Sequence, residues 1–196
     1  MEISAGTDPF TLFQSWYDDA ARTEINDPDA MAIASVDKEG MPSVRMVLLR
    51  GWSPDGFLFF TNYESRKSDE LLTTGKAAFC IHWKSQRRQV RVVGAISKAT
   101  AEQSDEYFSN RPLESKLGAI ISNQSSVIPL DYDFIAKIEE YKSNNSSTSI
   151  IRPENWGGFI IKINLFEFWQ GRPSRLHDRL CYNLENGKWN VNRKSP

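Results

Sequence analysis

The stretch MAIASVDKEGMPSVRMVLLRGWSPDGFLFFT, residues 31–61, decides the fold. It contains three β-rich runs, MAIASV, VRMVLL and FLFFT, which are separated by the turn sequences DKEG and SPDG. Strands that are joined by such short turns must run in opposite directions. The stretch therefore predicts a meander of antiparallel strands.

Further strands and helices are expected on both sides of this meander. Asp8, followed by a proline and by apolar residues at helical spacing, predicts an N-terminal helix over residues 8–24. Thr100 and Gln103 match a capping box that begins a helix ending near Pro112. The other expected helices and strands lie near 67–74, 113–121 and 131–142, and at AAFCIHW, QVRVVGAIS, FIIKINLFEFW, RLCYNL and KWNV.

Strands in the first and last thirds of the chain, with helices between them, predict an α+β fold built on an antiparallel barrel. The whole chain, 1–196, is expected to form one domain, because 196 residues with 40% hydrophobic content can bury a single core. The polar stretch near 143–150 is expected to be a mobile loop of that domain. No G-x-G-x-x-G or P-loop string occurs, so any nucleotide-like cofactor must be held in another way.

Composition argues against several classes of partner. The formal net charge is only -1, so no overall field favours nucleic acid or a membrane surface, and any anion site must be local. No apolar run approaches the roughly 20 residues of a membrane span, and no signal peptide is visible, so a cytoplasmic protein is expected. Cys80 and Cys181 fit a reducing compartment, and their spacing from His82 and His177 matches no zinc site, so no metal is expected.

The segment SRKSDE places two cations at the predicted start of a helix. The helix dipole favours negative charge at that end, so Arg66 and Lys67 would be accounted for if an anion, such as a phosphate, lay between them. An exposed basic turn is the alternative interpretation.

The segment YFSNRPLES spaces Tyr107, Arg111 and Ser115 four residues apart. A phenol, a guanidinium and a hydroxyl together suit the binding of a phosphate. Because Pro112 interrupts the helix, the three groups are expected to converge around a corner between two helices. Taken alone, the segment favours the other interpretation, an exposed Arg-Pro turn.

The strand VRMVLLR carries Arg45 among apolar neighbours. A cation in that setting needs a partner, and both an internal carboxylate and a ligand anion remain open. Arg50, at the end of the strand, is expected to be more exposed.

The segments RRQV and NQSS supply Gln89, Gln124 and Ser125. Amide and hydroxyl groups can bind the edge of a heterocycle without adding charge, although they are equally ordinary in turns.

The segment EFWQGRPSRLHDR, residues 167–179, gathers Trp169, Arg175, His177 and Arg179. The last three are expected to alternate along one face of a strand, with Leu176 and Asp178 on the other face. Two arginines beside a histidine disfavour its protonation unless an anion intervenes. A strand held by ion pairs to Asp178 is the alternative.

Taken together, these segments resemble the pyridoxamine 5'-phosphate oxidase family along the whole chain. The motifs RMVLLR, FFTNYESRK, RRQVRV, YFSNRPLES, SNQSS, WGGF, EFWQG and RLHDR occur in the family's order. The resemblance implies a split β-barrel and a homodimer with two FMN sites at the subunit interface.

The resemblance also implies roles for individual residues. Arg66 and Lys67 would meet the FMN phosphate, and the implied FMN site consists of Arg45, Met46, Val47, Leu48, Phe60, Thr61, Ser65, Arg66, Lys67, Gln89, Gln124, Ser125, Trp169 and Arg179. The implied substrate site consists of Arg50, Tyr107, Arg111 and Ser115 at the phosphate, and of Arg175 and His177, the implied catalytic residues, at the pyridine ring.

The activity that the resemblance implies is the oxidation of pyridoxamine or pyridoxine 5'-phosphate to pyridoxal 5'-phosphate. A hydride would pass from substrate C4' to flavin N5, and O2 would accept the electrons and become H2O2. Two alternatives are a related oxidase of the phenazine-pathway type and a protein that binds FMN or pyridoxal phosphate without turnover. Nucleic-acid binding through Arg87, Arg88 and Arg91 is disfavoured because no aromatic stacking set accompanies them.

Three features depart from the family pattern. Arg50 stands where the family commonly has lysine, which replaces a point donor with a planar fork. The chain ends in RKSP where the family usually ends in R-L-x-P, and KINLF replaces a segment that normally carries a proline. The first departure bears on substrate affinity, and the other two bear on packing of the last strands.

Overall fold

The computed structural model describes residues 3–145 and 150–196. Within these residues the chain forms eight β-strands, five α-helices and one short 3₁₀ helix. In chain order they are α1 (Pro9–Thr23), β1 (Ala30–Val36), β2 (Pro42–Ser53), β3 (Gly56–Asn62), α2 (Arg66–Thr74), β4 (Lys76–Trp83), β5 (Arg88–Lys98), α3 (Ala101–Ser109), α4 (Leu113–Ile121), α5 (Phe134–Asn144), β6 (Trp156–Gln170), the 3₁₀ helix (Pro173–Arg175), β7 (Asp178–Glu185) and β8 (Lys188–Arg193).

The strands form one antiparallel sheet in the order β3-β2-β1-β4-β5-β6-β7-β8. β3 also pairs with the first part of β6, from Phe57 opposite Ile161 to Asn62 opposite Trp156, and this pairing closes six strands into a barrel. β7 and β8 extend the sheet beyond the barrel from the second half of β6. The predicted α+β fold on an antiparallel barrel is therefore confirmed, as is the meander of β1, β2 and β3.

The barrel interior is filled by the apolar residues that alternate along the strands. Met31 and Ile33 of β1 are fully buried, and the rings of Phe59 and Phe159 meet across the β3–β6 pairing at 5.7 Å. Gly94 of β5 lies where the register between β5 and β6 shifts, and a Cβ there would come within 1.9 Å of a backbone oxygen of β6. No side chain fits at that point, so the glycine is required for the two strands to pack.

Helix α1 covers one end of the barrel with aromatic side chains. Asp8 caps the helix by accepting hydrogen bonds from the backbone N–H groups of Phe10 and Thr11. The ring of Phe13, fully buried, lies 4.9 Å from the ring of Phe57 and 5.1 Å from that of Trp52. The predicted N-terminal helix is thus present, and it forms part of the core.

The middle of the chain differs from the sequence expectation at one helix. The helix expected over 131–142 begins later, at Phe134, because Asp133 supplies the cap for its first turn. Ser143 and Asn144, expected to begin a mobile loop, form the last turn of α5 instead. Residues 146–149 of that expected loop lie outside the described residues.

None of the helices in the described ranges is long and apolar enough to cross a membrane. Likewise, residues 3–145 and 150–196 contain no group of three or more His, Cys, Asp or Glu side chains that could hold a metal ion.

We expect Phe13→Ala to lower the free energy of unfolding by about 3–5 kcal/mol, because the substitution loses buried apolar area and leaves a cavity. Urea denaturation followed by tryptophan fluorescence measures the change. Phe134→Ala is the control, since that ring on α5 is 41% exposed and its loss should cost under about 1 kcal/mol. Equal losses for the two variants would contradict the central position of Phe13.

Candidate active site

A cleft of about 520 Å³ lies between strands β2 and β3, the start of α2 and the corner between α3 and α4. Its lining contains most of the residues that the sequence predicted for the FMN and substrate phosphates. The predicted residues that line it are Met46, Val47, Leu48, Arg50, Phe60, Thr61, Lys67, Tyr107, Arg111, Ser115 and Gln124, and they are joined by Pro112 and Trp156.

A larger cavity, of about 660 Å³, lies between α1 and the β2–β3 turn. Its charged residues are Asp18, Asp19 and Arg22, and the arginine already pairs with Asp19 at 2.5 Å. It contains none of the predicted site residues and offers no free cation for an anion. The smaller cleft is therefore the candidate active site.

Lys67 is the buried cation at one end of the cleft. Its Nζ donates hydrogen bonds to Thr61 Oγ1 at 2.7 Å, to Ser65 Oγ at 3.1 Å and to Gln124 Oε1 at 2.5 Å. Burial, reinforced by the charge of Arg45, lowers the pKa of Lys67 to about 8. No carboxylate in the described part of the chain pairs with this ammonium group, so an anion would be a favourable partner for it.

The backbone beside Lys67 also favours an anion. Ser65 occupies the N-cap of α2, but its Oγ donates to the Asn62 backbone oxygen at 2.8 Å and makes no capping bond. Among the described residues, the first two N–H groups of α2, at Arg66 and Lys67, have no acceptor. Together with the helix dipole, they form a typical binding site for a phosphate group.

The sequence left open whether Arg45 pairs with an internal carboxylate or with a ligand anion. In the structure its partner is an internal carboxylate, Glu70. Its Nη2 lies 3.1 Å from Glu70 Oε2, so the side chain lies behind the cleft and not in its lining. Arg66 contacts the same carboxylate, with its Nε 2.7 Å from Oε1. Sequence reasoning missed Glu70, although its spacing of four residues from Arg66 on a predicted helix is a signal for such a pair.

Glu70 is ionised within the protein interior. Its side chain is 2% exposed. Burial raises its pKa, but hydrogen bonds from Ser35, Ser43, Arg66 and Arg45 outweigh that effect and lower the pKa to about 2. The carboxylate therefore carries its charge at every pH at which the protein would be assayed.

The corner between α3 and α4 forms the other end of the cleft. α3 ends at Ser109 and Pro112 is the N-cap of α4, so Tyr107, Arg111 and Ser115 converge around a corner as predicted. The Arg111 guanidinium lies 4.6 Å from the centre of the Trp156 ring, and its Nη2 donates to the Ser115 backbone oxygen at 3.0 Å.

Burial lowers the pKa of Arg111, which has no carboxylate partner in the described ranges. Its main support is aromatic: Trp156 stacks on Phe60, with ring centres 5.5 Å apart, and Phe60 stacks on Tyr107 at 3.9 Å. Sequence reasoning did not include Trp156 in the site, although the family motif WGGF contains it.

Arg50 enters the cleft from the end of β2. It is more exposed than Arg45, as expected, and its Nη1 lies 2.7 Å from Asp29 Oδ2. One edge of the planar guanidinium is thus held by a carboxylate, and the rest of the fork can contact a ligand.

A second group of predicted residues lies at the far end of β6, and we name it the β6-end cluster: Gln89, Trp169, His177 and Arg179. Gln89, Trp169 and Arg179 are direct neighbours across β5, β6 and β7. The His177 ring lies 4.6 Å from the Trp169 ring, and Arg179 contacts Glu167 Oε1 through both Nε, at 3.2 Å, and Nη2, at 2.9 Å.

One expectation about this region is wrong. Arg175, His177 and Arg179 do not alternate along a strand, because the 3₁₀ helix Pro173–Arg175 precedes β7, which begins only at Asp178. Pro173 lacks a backbone N–H for a strand ladder, and Ser174 and Arg175 have φ values of 56° and 60°, which are not those of a strand.

Asp178 does form an ion pair, as the alternative interpretation required, and His177 accepts a backbone hydrogen bond. Asp178 pairs with Arg193 of β8 and accepts the Ile3 backbone N–H at 2.7 Å. His177 Nδ1 accepts the backbone N–H of Arg172 at 3.2 Å. The neutral imidazole therefore carries its proton on Nε2.

In one chain, the cleft and the β6-end cluster lie at opposite ends of the same strand. Trp156, the first residue of β6, lines the cleft, whereas Trp169 belongs to the cluster. Thirteen residues at the usual rise of a strand correspond to about 40 Å of backbone. The predicted residues outside the cleft lining are Arg45, Ser65, Arg66, Gln89, Ser125, Trp169, Arg175, His177 and Arg179.

We expect Lys67→Met to stabilise the ligand-free protein by about 1–3 kcal/mol at pH 7, because it removes a buried charge. The pKa of Lys67 falls from 10.5 to about 8 on folding, so between these values the unfolded chain holds more protons. The free energy of unfolding should therefore rise with pH across that window in the wild type, and the variant should lack this contribution.

Urea titrations of both proteins at pH 7, 9 and 10.5 measure the difference. Lys38→Met, at a side chain that is 78% exposed, is the control for the loss of a surface charge. A Lys67→Met protein less stable than the wild type at pH 7 would contradict the prediction.

Comparison with known proteins gives one consistent family. Residues 17–144 match the sequence model of the family described as pyridoxamine 5'-phosphate oxidase. Residues 156–196 match the model described as the pyridoxine 5'-phosphate oxidase C-terminal dimerisation region. The second match covers β6, β7 and β8, so the chain carries the dimerisation region of this family.

Curated proteins that are similar along their whole length are named pyridoxine/pyridoxamine 5'-phosphate oxidase. The pyridoxine/pyridoxamine 5'-phosphate oxidase of Sinorhizobium fredii is 47% identical, over all of this chain and 96% of that protein. That of Chelativorans sp. is also 47% identical, over all of this chain and 94% of that protein.

Two solved structures share the fold. PhzG from Burkholderia lata, in complex with tetrahydrophenazine-1-carboxylic acid, is 25% identical with a TM-score of 0.86, over 96% of this chain and 93% of that one. A pyridoxamine 5'-phosphate oxidase-related FMN-binding protein from Nostoc punctiforme is 15% identical with a TM-score of 0.76, over 97% of this chain and 100% of that one.

The family models cover both the barrel and the terminal strands, and the curated relatives match from end to end. The chain belongs to the pyridoxamine 5'-phosphate oxidase family, a family of oxidoreductases that use FMN.

Proposed function

We propose that this chain is an FMN-dependent oxidase that converts pyridoxamine or pyridoxine 5'-phosphate to pyridoxal 5'-phosphate and reduces O2 to H2O2. The observation that carries the proposal is that two cations, the buried Lys67 and the partly buried Arg111, line one cleft without carboxylate partners in the described residues. Two such cations suit two phosphorylated ligands in one site, which is what a phosphorylated flavin and a phosphorylated vitamin require.

The residues at the start of α2 suit the phosphate of FMN. Lys67 supplies a charge, and the N–H groups at Arg66 and Lys67 supply donors aligned with the helix dipole. Thr61 and Gln124, which now hold the ammonium group, can rearrange around the bound phosphate. When bound, FMN supplies the redox chemistry by accepting a hydride from the substrate.

The corner between α3 and α4 suits the phosphate of the substrate. Arg111 is already oriented by Trp156 and by the Ser115 backbone oxygen, so little conformational entropy is lost when it grips an anion. Tyr107, Ser115 and Arg50 can add hydrogen bonds. The chain's own contribution to catalysis is to hold the substrate in a fixed orientation.

We propose that the site is completed across a homodimer, so that the β6-end cluster of one subunit faces the cleft of the other. Two observations support this arrangement: about 40 Å of strand separates the two groups within one chain, and residues 156–196 match a dimerisation region. A two-fold dimer would then contain two equivalent sites.

Arg175 and His177 are proposed to position the pyridine ring of the substrate. Because His177 Nδ1 accepts the Arg172 N–H, the imidazole can donate from Nε2 to a polar group of the substrate. Arg175 follows the proline turn, and its guanidinium supplies charge without acting as a nucleophile.

An oxidase of phenazine precursors is the second candidate, since PhzG shares this fold at a TM-score of 0.86. The ligand named for that structure carries a carboxylic acid and no phosphate. The three-donor corner of Tyr107, Arg111 and Ser115 favours a phosphorylated substrate over it.

The direct test begins with a visible spectrum of the purified protein. Addition of pyridoxamine 5'-phosphate in air should produce aldehyde and peroxide in equal amounts. Parallel reactions with tetrahydrophenazine-1-carboxylic acid, the ligand named for PhzG, test the second candidate. A colourless protein that gains no activity with added FMN would refute the proposed function.

The composite site predicts complementation between inactive variants. Arg111→Ala should lower kcat/KM about 100-fold or more through loss of the phosphate contact, and His177→Ala should lower turnover while the protein stays yellow. In a mixed dimer, one site would combine the altered cleft with the altered β6-end cluster. The other site would combine the two unaltered parts. Unfolding and refolding an equimolar mixture should therefore recover about a quarter of the wild-type activity.

Mixing Arg111→Ala with Arg22→Ala, a substitution on the exposed face of α1, is the control for the refolding yield, because about half of the sites are intact whether or not the subunits exchange. No recovery from the mixture of Arg111→Ala and His177→Ala would show that each site is formed by one chain.

A further inference from the structure

Glu70 is a buried carboxylate that collects donors from three elements of the fold. Its Oε2 accepts from Ser35 of β1 at 2.5 Å and from Ser43 of β2 at 2.5 Å, and it lies 3.1 Å from Arg45 of β2. Its Oε1 lies 2.7 Å from Nε of Arg66 on α2. Burying a carboxylate is costly, and this one is fully supplied with hydrogen bonds and cations.

Arg45 and Arg66 differ in how many of their guanidinium N–H groups are free to bind a ligand. Arg45 donates from Nη1 to Ser35 and to the Ile33 backbone oxygen, and from Nη2 to Ser43 and Glu70, so only its Nε remains. Arg66 uses only Nε, and among the described residues neither of its Nη groups has a protein acceptor. Its side chain is 62% exposed, so without Glu70 it would be free to adopt many rotamers.

Glu70 also sets the charge beside α2. Within the group of Arg45, Arg66, Lys67 and Glu70, three cations and one carboxylate leave a formal excess of two positive charges. Asp69, also in the first turn of α2, is exposed and lies outside this group. A phosphate monoester carries close to two negative charges above its second pKa of about 6. The charge of the site therefore matches that of a terminal phosphate.

We propose, on the basis of the proposed function, that Glu70 is a positioning residue of the FMN phosphate site, which holds the Arg66 guanidinium with its free edge toward the phosphate. Glu70 contacts no flavin atom itself. Its effect is specific to a flavin that ends in a phosphate, because the ring system is contacted by other residues.

The test compares two probes that differ only in the phosphate. Apoprotein is titrated with FMN and with riboflavin, and binding is followed by the quenching of flavin fluorescence. For Glu70→Gln we expect the Kd for FMN to rise about tenfold and the Kd for riboflavin to stay within about twofold of the wild type. Equal weakening of both flavins would indicate a merely structural role and overturn the proposal, as would unchanged or tighter FMN binding.

A double-mutant cycle tests whether Glu70 acts through Arg66. In an Arg66→Ala background, Glu70→Gln should weaken FMN binding by less than about twofold, because the group it positions is absent. A further tenfold loss in that background would overturn the proposal. Glu140→Gln, which breaks a 2.8 Å ion pair on α5, is the matched control and should leave both Kd values unchanged.

Ser43→Ala provides a second variant if Glu70→Gln does not fold. It removes one donor to the carboxylate and one acceptor of Arg45, and it should weaken FMN about threefold without affecting riboflavin. A wild-type protein that binds neither flavin would refute the proposed function together with this inference. Wild-type binding with no phosphate-specific loss in the variants would refute this inference alone.

Discussion

The pairing of β6 with three other strands is the constraint on which the rest of the structure depends. Its first part closes the barrel against β3, most of its length pairs with β5, and its second half supports β7. Its first four residues, Trp156 to Phe159, are buried, so the barrel end of the strand packs on both faces. Because Trp156 begins the strand and Trp169 is near its end, β6 also fixes the separation between the cleft and the β6-end cluster.

The cleft concentrates positive charge at a cost to the folded state. Lys67 and Arg111 lose hydration on folding. The neutral oxygens around Lys67 and the aromatic ring beside Arg111 offset only part of the lost hydration free energy. A bound anion supplies the negative charge that these two cations lack in the protein alone. Ligand binding therefore stabilises the folded state. The Glu70 network shows the opposite solution, in which two arginines are neutralised in part by an internal carboxylate.

Local patterns in the sequence were sufficient for most of the strands, for the caps at Asp8 and Thr100, and for the convergence of Tyr107 with Arg111. The identity of the flavin and of the substrate came from the family resemblance. Long-range contacts could not be read in this way: the partner of Arg45 is 25 residues away, and Trp156 supports an arginine from a different part of the chain. The turn before β7 is not visible in the alternation of polar residues, because it depends on Pro173, which lacks a backbone N–H, and on the positive φ values of Ser174 and Arg175.

The separation of the two residue groups along β6 has a consequence for how activity responds to dilution. If each site needs two chains, the monomer has no complete site however well it is folded, and the specific activity depends on protein concentration near the dimer dissociation constant. Because β6 is hydrogen-bonded to β5 along one edge and to β7 along the other, it cannot bend so that Trp156 and Trp169 of one chain meet. For a site shared between two chains, assembly is the last step in building the catalyst, and a mutation in the terminal strands then abolishes turnover while the barrel remains folded.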